Sequence, residues 1–477
     1  MSRVVFEIEA MPTTLAAAEV HEYVGWWLAE ALHDPLFAES PVAGEVEGAI
    51  CAAAREGESG LEWDLDIAES ARWQDGAPIT AADVARAISR QSARPGGSWL
   101  AEPIAAVEER GPQGLRVLLR RPFATLPQLL SAPIFAPEAT SPEHPDGDRR
   151  SGPYRLRGAL SGRRGLVLEA VPAARRFRRD GPPEIVLLKT DSPQQGVRLL
   201  ADGTIDATCP TSIAREQLDG DAPTARRPIA MAVELVPNPS GRLSAPEARQ
   251  ALLRALDRGA LGAAVDGVMQ PLASYDELWR EEDAGDPRVD PHHDPAAASR
   301  VWRSFRPPPL ATIDYPDFPP NRELVAAVTE QLEAVLGLRT VGRPIDYGRY
   351  LGQRPSAGAD LHLVLTAAPW PDPTGMLAPF RRGGPLAREL DYGDTRFDVA
   401  LEQAERLPER SRRLDACRRA HELLLRSAPA IPLLAVEAIS FVSPRLQGLR
   451  FLPSGRIRFE ELSIAAVVPN EQQPATL

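Results

Sequence analysis

The chain has little of what would mark a nucleic-acid-binding or membrane-spanning protein. Lys189 is its only lysine, so arginine supplies nearly all of the positive charge, and the formal net charge is −12. An acidic chain without a basic tract argues against nucleic acid as the main partner. No apolar run reaches the ~20 residues that a membrane-spanning helix needs. We therefore predict no nucleic-acid partner and no membrane span.

Cysteine and histidine are too few and too scattered to form a recognisable reactive or metal-binding motif. Cys51, Cys209 and Cys417 lack metal-ligand spacing, and we expect buried free thiols. Residues 290–294 (DPHHD) have metal-ligand residue types, but a polar loop is the simpler interpretation because no spaced histidine follows. Walker loops, dinucleotide fingerprints, nucleophile elbows and His-Glu-x-x-His motifs are missing. We predict no enzyme activity, no cofactor and no metal.

The N-terminus lacks the uninterrupted apolar segment of a secretory signal. Residues 1–10 (MSRVVFEIEA) hold one basic residue and then alternate apolar and acidic residues, as a strand does. We therefore favour a cytoplasmic protein. The alternative is a periplasmic or cell-surface protein whose signal peptide has been removed.

With 477 residues the chain is too long for one ordinary domain, and we expect two or three lobes. Alternating strand and helix patterns predict α/β layering. We predict a polar linker over residues 138–150, one helix over 247–261, and two strands over 430–435 and 437–443. Residues 175–179 (RRFRR) are interpreted as a solvated basic face, with a dock for an acidic peptide or partner as the alternative.

One stretch, residues 72–84, directs the interpretation of the rest. It reads RWQDGAPITAADV, a turn followed by a helix start at which Thr80 is a suitable N-cap and Asp83 favours the positive end of the helix. This stretch closely resembles the W-x-D-G-x-P-x-T-A-x-D-V segment of the family 5 solute-binding proteins. Those are the oligopeptide- and dipeptide-binding proteins of ABC importers.

Further segments resemble the same family in the correct order. Residues 151–156 (SGPYRL) are similar to its G-T-G-P-Y-x-L segment, with Ser151 in place of threonine. Residues 202–206 (DGTID) resemble its G-x-V/I-D unit, and residues 247–258 (EARQALLRALDR) its V-R-Q-A-L-x-x-A-I-D-R segment. The resemblance implies an α/β, periplasmic-binding-protein-like two-lobed fold with an additional domain, the class II, family 5 architecture.

The resemblance also implies domain boundaries and a ligand cleft. It predicts a discontinuous domain I (1–39, 151–236 and 438–466), domain II (40–150), domain III (237–437) and a flexible tail (467–477). Ligand would be enclosed as the lobes close about a hinge. Core packing or local capping is the alternative role for each ligand-binding residue that we predict, and Trp26 is a further aromatic near the cleft. The predicted residues are His21, Glu22, Tyr23, Trp73, Trp99, Asn238, Pro369, Trp370 and Asp372.

The chain departs from the family where the amino terminus of a peptide ligand is held. Peptide-binding members have W-x-x-D-x-x-D-P there, and the first aspartate pairs with the peptide's α-ammonium. Residues 366–373 read TAAPWPDP, so Pro369 replaces that aspartate and Thr366 the tryptophan. A buried ammonium without its carboxylate would cost several kcal/mol. We expect an internal segment of a longer peptide, a blocked peptide or a non-peptide.

Together these features predict non-catalytic binding of a peptide or peptide-like ligand between the lobes, inside the cell, in a processing or natural-product biosynthetic pathway. The alternative is the substrate-binding subunit of an ABC-type peptide importer. An enzyme on a solute-binding fold is a more distant alternative. Besides the ligand, the expected partner of this monomer is a peptide-modifying enzyme or an ABC permease.

Overall fold

Strands and helices alternate along most of the chain. The computed structural model describes residues 3–20, 22–94, 99–141, 144–160, 164–213, 223–279, 290–346, 349–350 and 358–465. The strands are β1 (Arg3–Ile8), β2 (Phe37–Glu39), β3 (Val46–Gly48), β4 (Cys51–Glu56), β5 (Glu62–Ile67), β6 (Ile104–Glu109), β7 (Gly114–Leu119), β8 (Ala139–Ser141), β9 (His144–Arg149), β10 (Tyr154–Ala159), β11 (Gly165–Ala170), β12 (Glu184–Lys189), β13 (Thr224–Pro237), β14 (Met269–Pro271), β15 (Ala311–Pro316), β16 (Thr340–Ile345), β17 (Leu361–Ala367), β18 (Ile431–Phe441), β19 (Leu446–Gln447) and β20 (Ser463–Ile464).

The α-helices of the described residues range from five to 18 residues in length. They are α1 (Tyr23–Leu32), α2 (Ala81–Ala93), α3 (Leu126–Leu130), α4 (Pro193–Ala201), α5 (Pro246–Ala255), α6 (Arg258–Ala264), α7 (Pro295–Trp302), α8 (Asn321–Leu336), α9 (Pro373–Leu377), α10 (Pro385–Glu389), α11 (Thr395–Glu405) and α12 (Arg410–Ser427). None of the helices in the described ranges is long and apolar enough to cross a bilayer.

The three sheets of four or more strands in the described residues divide the structure into three lobes. The first lobe holds the sheet β1-β12-β11-β10, in which β1 and β12 are parallel. The second lobe, residues 51–130, holds the antiparallel sheet β4-β5-β7-β6 with α2 and α3. The third lobe, residues 224–441, holds the six-stranded sheet β14-β18-β13-β17-β15-β16 with α5 to α12. The predicted α/β architecture is confirmed.

Two long strands connect the first lobe to the third. β13 and β18 pair antiparallel, and their register is interrupted between Pro228 and Ala232. The backbone N–H of Thr208, beside the first sheet, donates to the Phe441 carbonyl at the end of β18. Buried residues of the first sheet, including Phe6, belong to the same apolar cluster as those of α5 and α8. The first and third lobes therefore share a continuous core, and the second lobe has its own.

Several predictions based on local pattern are confirmed. Thr80 and Asp83 form a reciprocal capping box at the start of α2. Helix α8 ends as expected at Gly337, whose φ of +65° is a conformation that glycine adopts without strain. The three cysteines are buried free thiols, because none of them forms a disulfide.

Other predictions are wrong, and in each case the cause is an interaction that pattern alone did not reveal. Residues 138–150 contain the antiparallel pair β8 and β9 instead of a linker. The predicted helix over 247–261 is two helices, because the Asp257 side chain accepts from the Ala260 N–H and caps a second one. The two strands predicted over 430–443 are one, β18, because pairing with β13 holds it extended.

The basic segment at residues 175–179 is not a uniformly solvated face. The Arg176 guanidinium is buried, and it donates to Asp34 at 2.6 Å and to Glu460 at 2.5 Å. Burial lowers the pKa of Arg176, but the surrounding carboxylates more than offset this and raise it. Arg178 is exposed and pairs with Asp180. This corrects the solvated interpretation for Arg176, which stabilises the first lobe internally.

Candidate ligand site between the second and third lobes

A cavity of ≈ 330 Å³ lies where the second lobe meets the third. Trp99 and Phe123 contribute aromatic lining from the second lobe, and Trp370 contributes it from the third. The ring centroid of Trp370 is 6.4 Å from those of Trp99 and Phe123. The volume of the cavity falls at the small end of the range for ligand pockets. Concave aromatic surfaces between lobes are common ligand sites.

The position of Trp370 is set by the short helix that follows it. Asp372 caps α9, because its Oδ1 accepts from the Thr374 N–H at 3.0 Å and from the Thr374 hydroxyl at 2.6 Å. A Cβ at Gly375 would lie 3.2 Å from the Trp370 ring and 2.6 Å from its carbonyl oxygen. The absence of that carbon lets α9 pack closely against the indole.

Charged side chains surround the aromatic part of the cavity. Arg381 and Glu405 come from the third lobe and Glu102 and Arg120 from the second, with Ser92 and Arg382 completing the polar lining. Burial lowers the pKa of Arg381, but Glu405 and Glu102 more than offset this and raise it. Arg381 therefore stays charged, and the cavity presents fixed charges of both signs beside an apolar floor.

The predicted site residues Trp99 and Trp370 meet in this cavity although they are far apart in the chain. Pro369, which precedes Trp370, is half-buried. No carboxylate therefore occupies the position at which the resemblance leads us to expect one. The arrangement can hold an apolar or aromatic group and hydrogen-bond polar groups beside it.

Comparison with protein families identifies the fold. The family model of the bacterial extracellular solute-binding proteins, family 5 (middle region), matches residues 34–387. The chain belongs to this family. No curated protein sequence matches the chain.

Solved structures of family 5 proteins and their relatives superpose over nearly the whole chain. The murein tripeptide binding protein MppA of Escherichia coli is 16% identical and has a TM-score of 0.82, with 97% of this chain and 98% of that one covered. OppA of Burkholderia pseudomallei is 16% identical with a TM-score of 0.82, covering 98% and 99%. NikA of Staphylococcus aureus, solved with Ni(L-His)2, is 14% identical with a TM-score of 0.81, covering 98% and 100%.

An unliganded open form of one of these proteins also matches the chain, with a lower TM-score. The unliganded open form of MppA is 17% identical, covers 97% of each chain and has a TM-score of 0.67, against 0.82 for the other MppA structure.

Two predicted site residues of the first lobe of this family 5 chain are engaged within that lobe. The Tyr23 hydroxyl donates to the Gly455 carbonyl at 2.8 Å. Burial raises the pKa of Tyr23 well above its usual value. Glu22 Oε1 accepts from the Thr13 N–H at 2.6 Å and from the Thr13 hydroxyl at 2.9 Å. Trp26 is half-buried against the small apolar cluster around Val20. His21 lies outside the described residues.

The remaining predicted residues perform structural tasks. Trp73 is buried in the second lobe, with the Arg149 guanidinium 5.1 Å from its ring. Asn238 donates through Nδ2 to the Ala359 carbonyl at 2.7 Å and accepts from the Ser240 N–H at 3.0 Å. Asp372 is fully buried and pairs with Arg413. Contact of these side chains with ligand stays a prediction.

A buried carboxyl near the connecting strands escaped prediction from the sequence. Glu234, on β13, is fully buried, and burial raises its pKa to about 8. Its Oε2 accepts from the Thr366 hydroxyl at 2.5 Å, and its Oε1 has no partner among the described residues. The sequence does indicate a buried carboxyl here, because Glu234 is the one charged residue in the apolar run of residues 229–236 (IAMAVELV). Glu234 is thus mainly a neutral acid at pH 7.

A second buried acid group lies in the first lobe beside Cys209. The Cys209 thiol donates to Glu9 Oε2 at 2.7 Å, and burial raises the pKa of both groups. Glu7 accepts from the Thr190 hydroxyl at 2.6 Å and from the Cys209 N–H at 3.0 Å. Burial raises the pKa of Glu7 to about 7. Cys209 is therefore a weakly reactive thiol in a hydrogen-bonded cluster.

Proposed function

We propose that this protein captures a peptide or peptide-like solute between its lobes and releases it chemically unchanged. The observation that carries the proposal is the cavity in which Trp99 and Phe123 of one lobe face Trp370 of another. A ligand that touches both lobes binds the closed form better than the open form and so shifts the population towards closure.

The ligand class follows from Pro369. Family 5 peptide binders resembling this chain carry an aspartate there for the peptide's ammonium, whereas the cavity here is bordered by the indole of Trp370 and the guanidinium of Arg381. Residue 369 offers an ammonium no carboxylate, and the two carboxylates that line the cavity, Glu405 and Glu102, are already paired with Arg121 and Arg381. An ammonium here would therefore lose its hydration without gaining a free carboxylate. We infer that the ligand presents a blocked amino terminus, an internal peptide segment or a non-peptide group at this end.

Delivery to an ABC permease is the role that the comparisons support better. The matched family is one of extracellular solute-binding proteins, and a Borrelia burgdorferi relative is described as an oligopeptide ABC transporter protein. The expectation of an intracellular biosynthetic protein has no support from these comparisons. We therefore propose the importer role in place of the intracellular one.

The test measures binding of a matched pair of probes by isothermal titration calorimetry: Ala-Phe-Ala and its N-acetylated form. We expect the wild-type protein to bind the acetylated peptide at least about tenfold more tightly, a difference of ~1.4 kcal/mol. Pro369→Asp should reverse the preference. Leu310→Asp adds the same charge at an exposed position of the third lobe and should leave the preference unchanged.

Two results would contradict the proposal. Tighter binding of the free peptide by the wild-type protein would show that the ammonium has another partner. If neither peptide binds, native mass spectrometry of protein purified from its own host identifies the class of ligand. A retained ligand that is not peptide-like would contradict the proposed peptide-binding function.

A further inference from the structure

Four charged side chains join the second lobe to the third beside the candidate site. Glu405 of the third lobe accepts from Arg121 of the second lobe, and Arg381 of the third lobe lies 3.5 Å from Glu102 of the second. These two ion pairs cross between lobes. The side chains of Arg121, Arg381 and Glu405 are only 10%, 14% and 1% exposed, so solvent screens them weakly.

The same four residues also pair within each lobe. Arg121 contacts Glu102 at 2.9 Å inside the second lobe, and Arg381 contacts Glu405 at 2.5 Å inside the third. Separating the lobes would therefore leave one neutral ion pair on each. Each charged group keeps an oppositely charged partner when the lobes open. Opening therefore avoids the penalty of several kcal/mol that follows when a buried charge loses its only partner.

The closed arrangement leaves several buried polar atoms unsatisfied at this interface. Arg121 Nε, Arg381 Nε, Glu405 Oε1 and Trp370 Nε1 have no hydrogen-bond partner among the described residues. A buried unpartnered polar group costs roughly 1–3 kcal/mol, and separating the lobes would hydrate such groups. This cost offsets part of what the crossing ion pairs contribute to closure.

Apolar and backbone contacts act in the opposite direction. Trp370 and Ala378 of the third lobe pack into the apolar cluster of the second lobe. The Ala124 N–H of the second lobe donates to the Glu405 carbonyl of the third at 2.8 Å. The interface therefore combines contacts that favour closure with buried groups that favour opening.

We propose that Arg121, Glu102, Arg381 and Glu405 form a reversible latch that sets how readily the second and third lobes separate. Closure adds two ion pairs across the lobes to the two pairs within them, which gives a four-membered network with Glu405 as its central residue. The latch deepens the proposed function, because it controls access to the same cavity, but it operates without ligand.

The test follows the lobe separation in the ligand-free protein by single-molecule fluorescence transfer. Glu58→Cys in the second lobe and Val399→Cys in the third are exposed labelling positions, and the three native thiols are buried. We expect Arg121→Gln to raise the ratio of open to closed molecules about tenfold. Glu102→Gln, at a position 43% exposed and so tolerant of change, should shift it in the same direction.

The matched control is Arg116→Gln, which removes a guanidinium paired with Glu62 and Asp64 inside the second lobe. It should leave the ratio unchanged. A double-mutant cycle between Arg121→Gln and Glu405→Gln should show coupling, because the two side chains share a network.

The latch is refuted if Arg121→Gln and Glu102→Gln leave the distribution as in the wild type, or if Arg116→Gln shifts it equally. Should Arg121→Gln prevent folding, as read by circular dichroism, Glu102→Gln alone decides the outcome. The latch test uses no ligand, so the two proposals are tested independently. A negative latch result does not contradict peptide binding, and a failure to bind peptide does not contradict the latch.

Discussion

Arg413 donates through Nε to Asp372 Oδ2 at 2.8 Å, and the two side chains are 3% and 0% exposed. The other Asp372 oxygen caps α9, directly after Trp370. Arg413 Nη1 in turn donates to the Leu407 and Pro408 carbonyls, at 2.6 and 3.0 Å. The aspartate that resembles a ligand residue in sequence therefore holds the aromatic wall of the cavity in place.

Replacing Asp372 with asparagine should destabilise the protein strongly. Asparagine can still cap α9, but the buried Arg413 charge would keep only its carbonyl partners and lose its carboxylate, and we expect a loss of about 3–5 kcal/mol in the free energy of unfolding. Urea denaturation followed by circular dichroism measures it. Asp394→Asn is the control, because Asp394 caps α11 next to an exposed Arg396. A loss below about 1 kcal/mol for Asp372→Asn would contradict the positioning role.

Truncation of Trp370 should weaken the interface between the second and third lobes. The side chain is 3% exposed within the second lobe's apolar cluster, and Trp370→Ala should cost about 3–5 kcal/mol in unfolding free energy. Tryptophan fluorescence during urea denaturation should also lose the contribution of this residue. Val399→Ala, at a residue 48% exposed on α11, should change stability by no more than about 0.5 kcal/mol. Equal effects of the two variants would refute the packing argument.

Glu234 should make stability fall as pH rises. Burial raises its pKa from 4.5 to about 8 in the folded protein, so the folded state binds a proton that the unfolded state releases. This contribution is fully present below about pH 4.5 and is lost as pH rises towards 8. Glu234→Gln should keep the Thr366 hydrogen bond and remove that loss.

The measurement is urea denaturation of wild type and Glu234→Gln at a series of pH values from 4 to 9. We expect the variant's advantage to grow up to about pH 8 and then to level off as the wild-type carboxyl ionises in the folded state. Glu109→Gln, at an exposed position of β6, should follow the wild type. A difference that does not change with pH would show that Glu234 is not a buried protonated acid.

Gly455 should not tolerate a side chain, because its backbone and its neighbour both exclude one. Its φ is +83°, and an added Cβ would lie 2.5 Å from the Tyr23 hydroxyl oxygen. Gly203 has a similar φ of +75° with no atom within 4 Å of such a carbon. Gly203→Ala should therefore cost only the backbone strain of about 1–2 kcal/mol, and Gly455→Ala clearly more. Equal melting temperatures for the two variants would remove the steric part of this argument.

Local pattern predicted many of the elements because the interactions that define them lie within a few residues. The Thr80–Asp83 capping box and the α8 terminus at Gly337 depend on neighbours along the chain. The single helix expected over residues 247–261 failed because Leu256 is extended and Asp257 caps a new helix. The linker predicted over residues 138–150 was wrong because the backbone pairing between β8 and β9 forms in spite of the polar composition of this segment.

The sequence by itself determined the family 5 fold, the start of α2 and the end of α8, and the absence of a carboxylate at position 369. Only the tertiary structure decided that Trp99 and Trp370 meet, that Asp372 pairs with Arg413, and that Glu405 links two lobes. The physical reason is the sequence separation over which each kind of interaction acts. Capping and strand alternation act between neighbours along the chain, whereas desolvation and ion pairing depend on which distant residues the folded chain brings together.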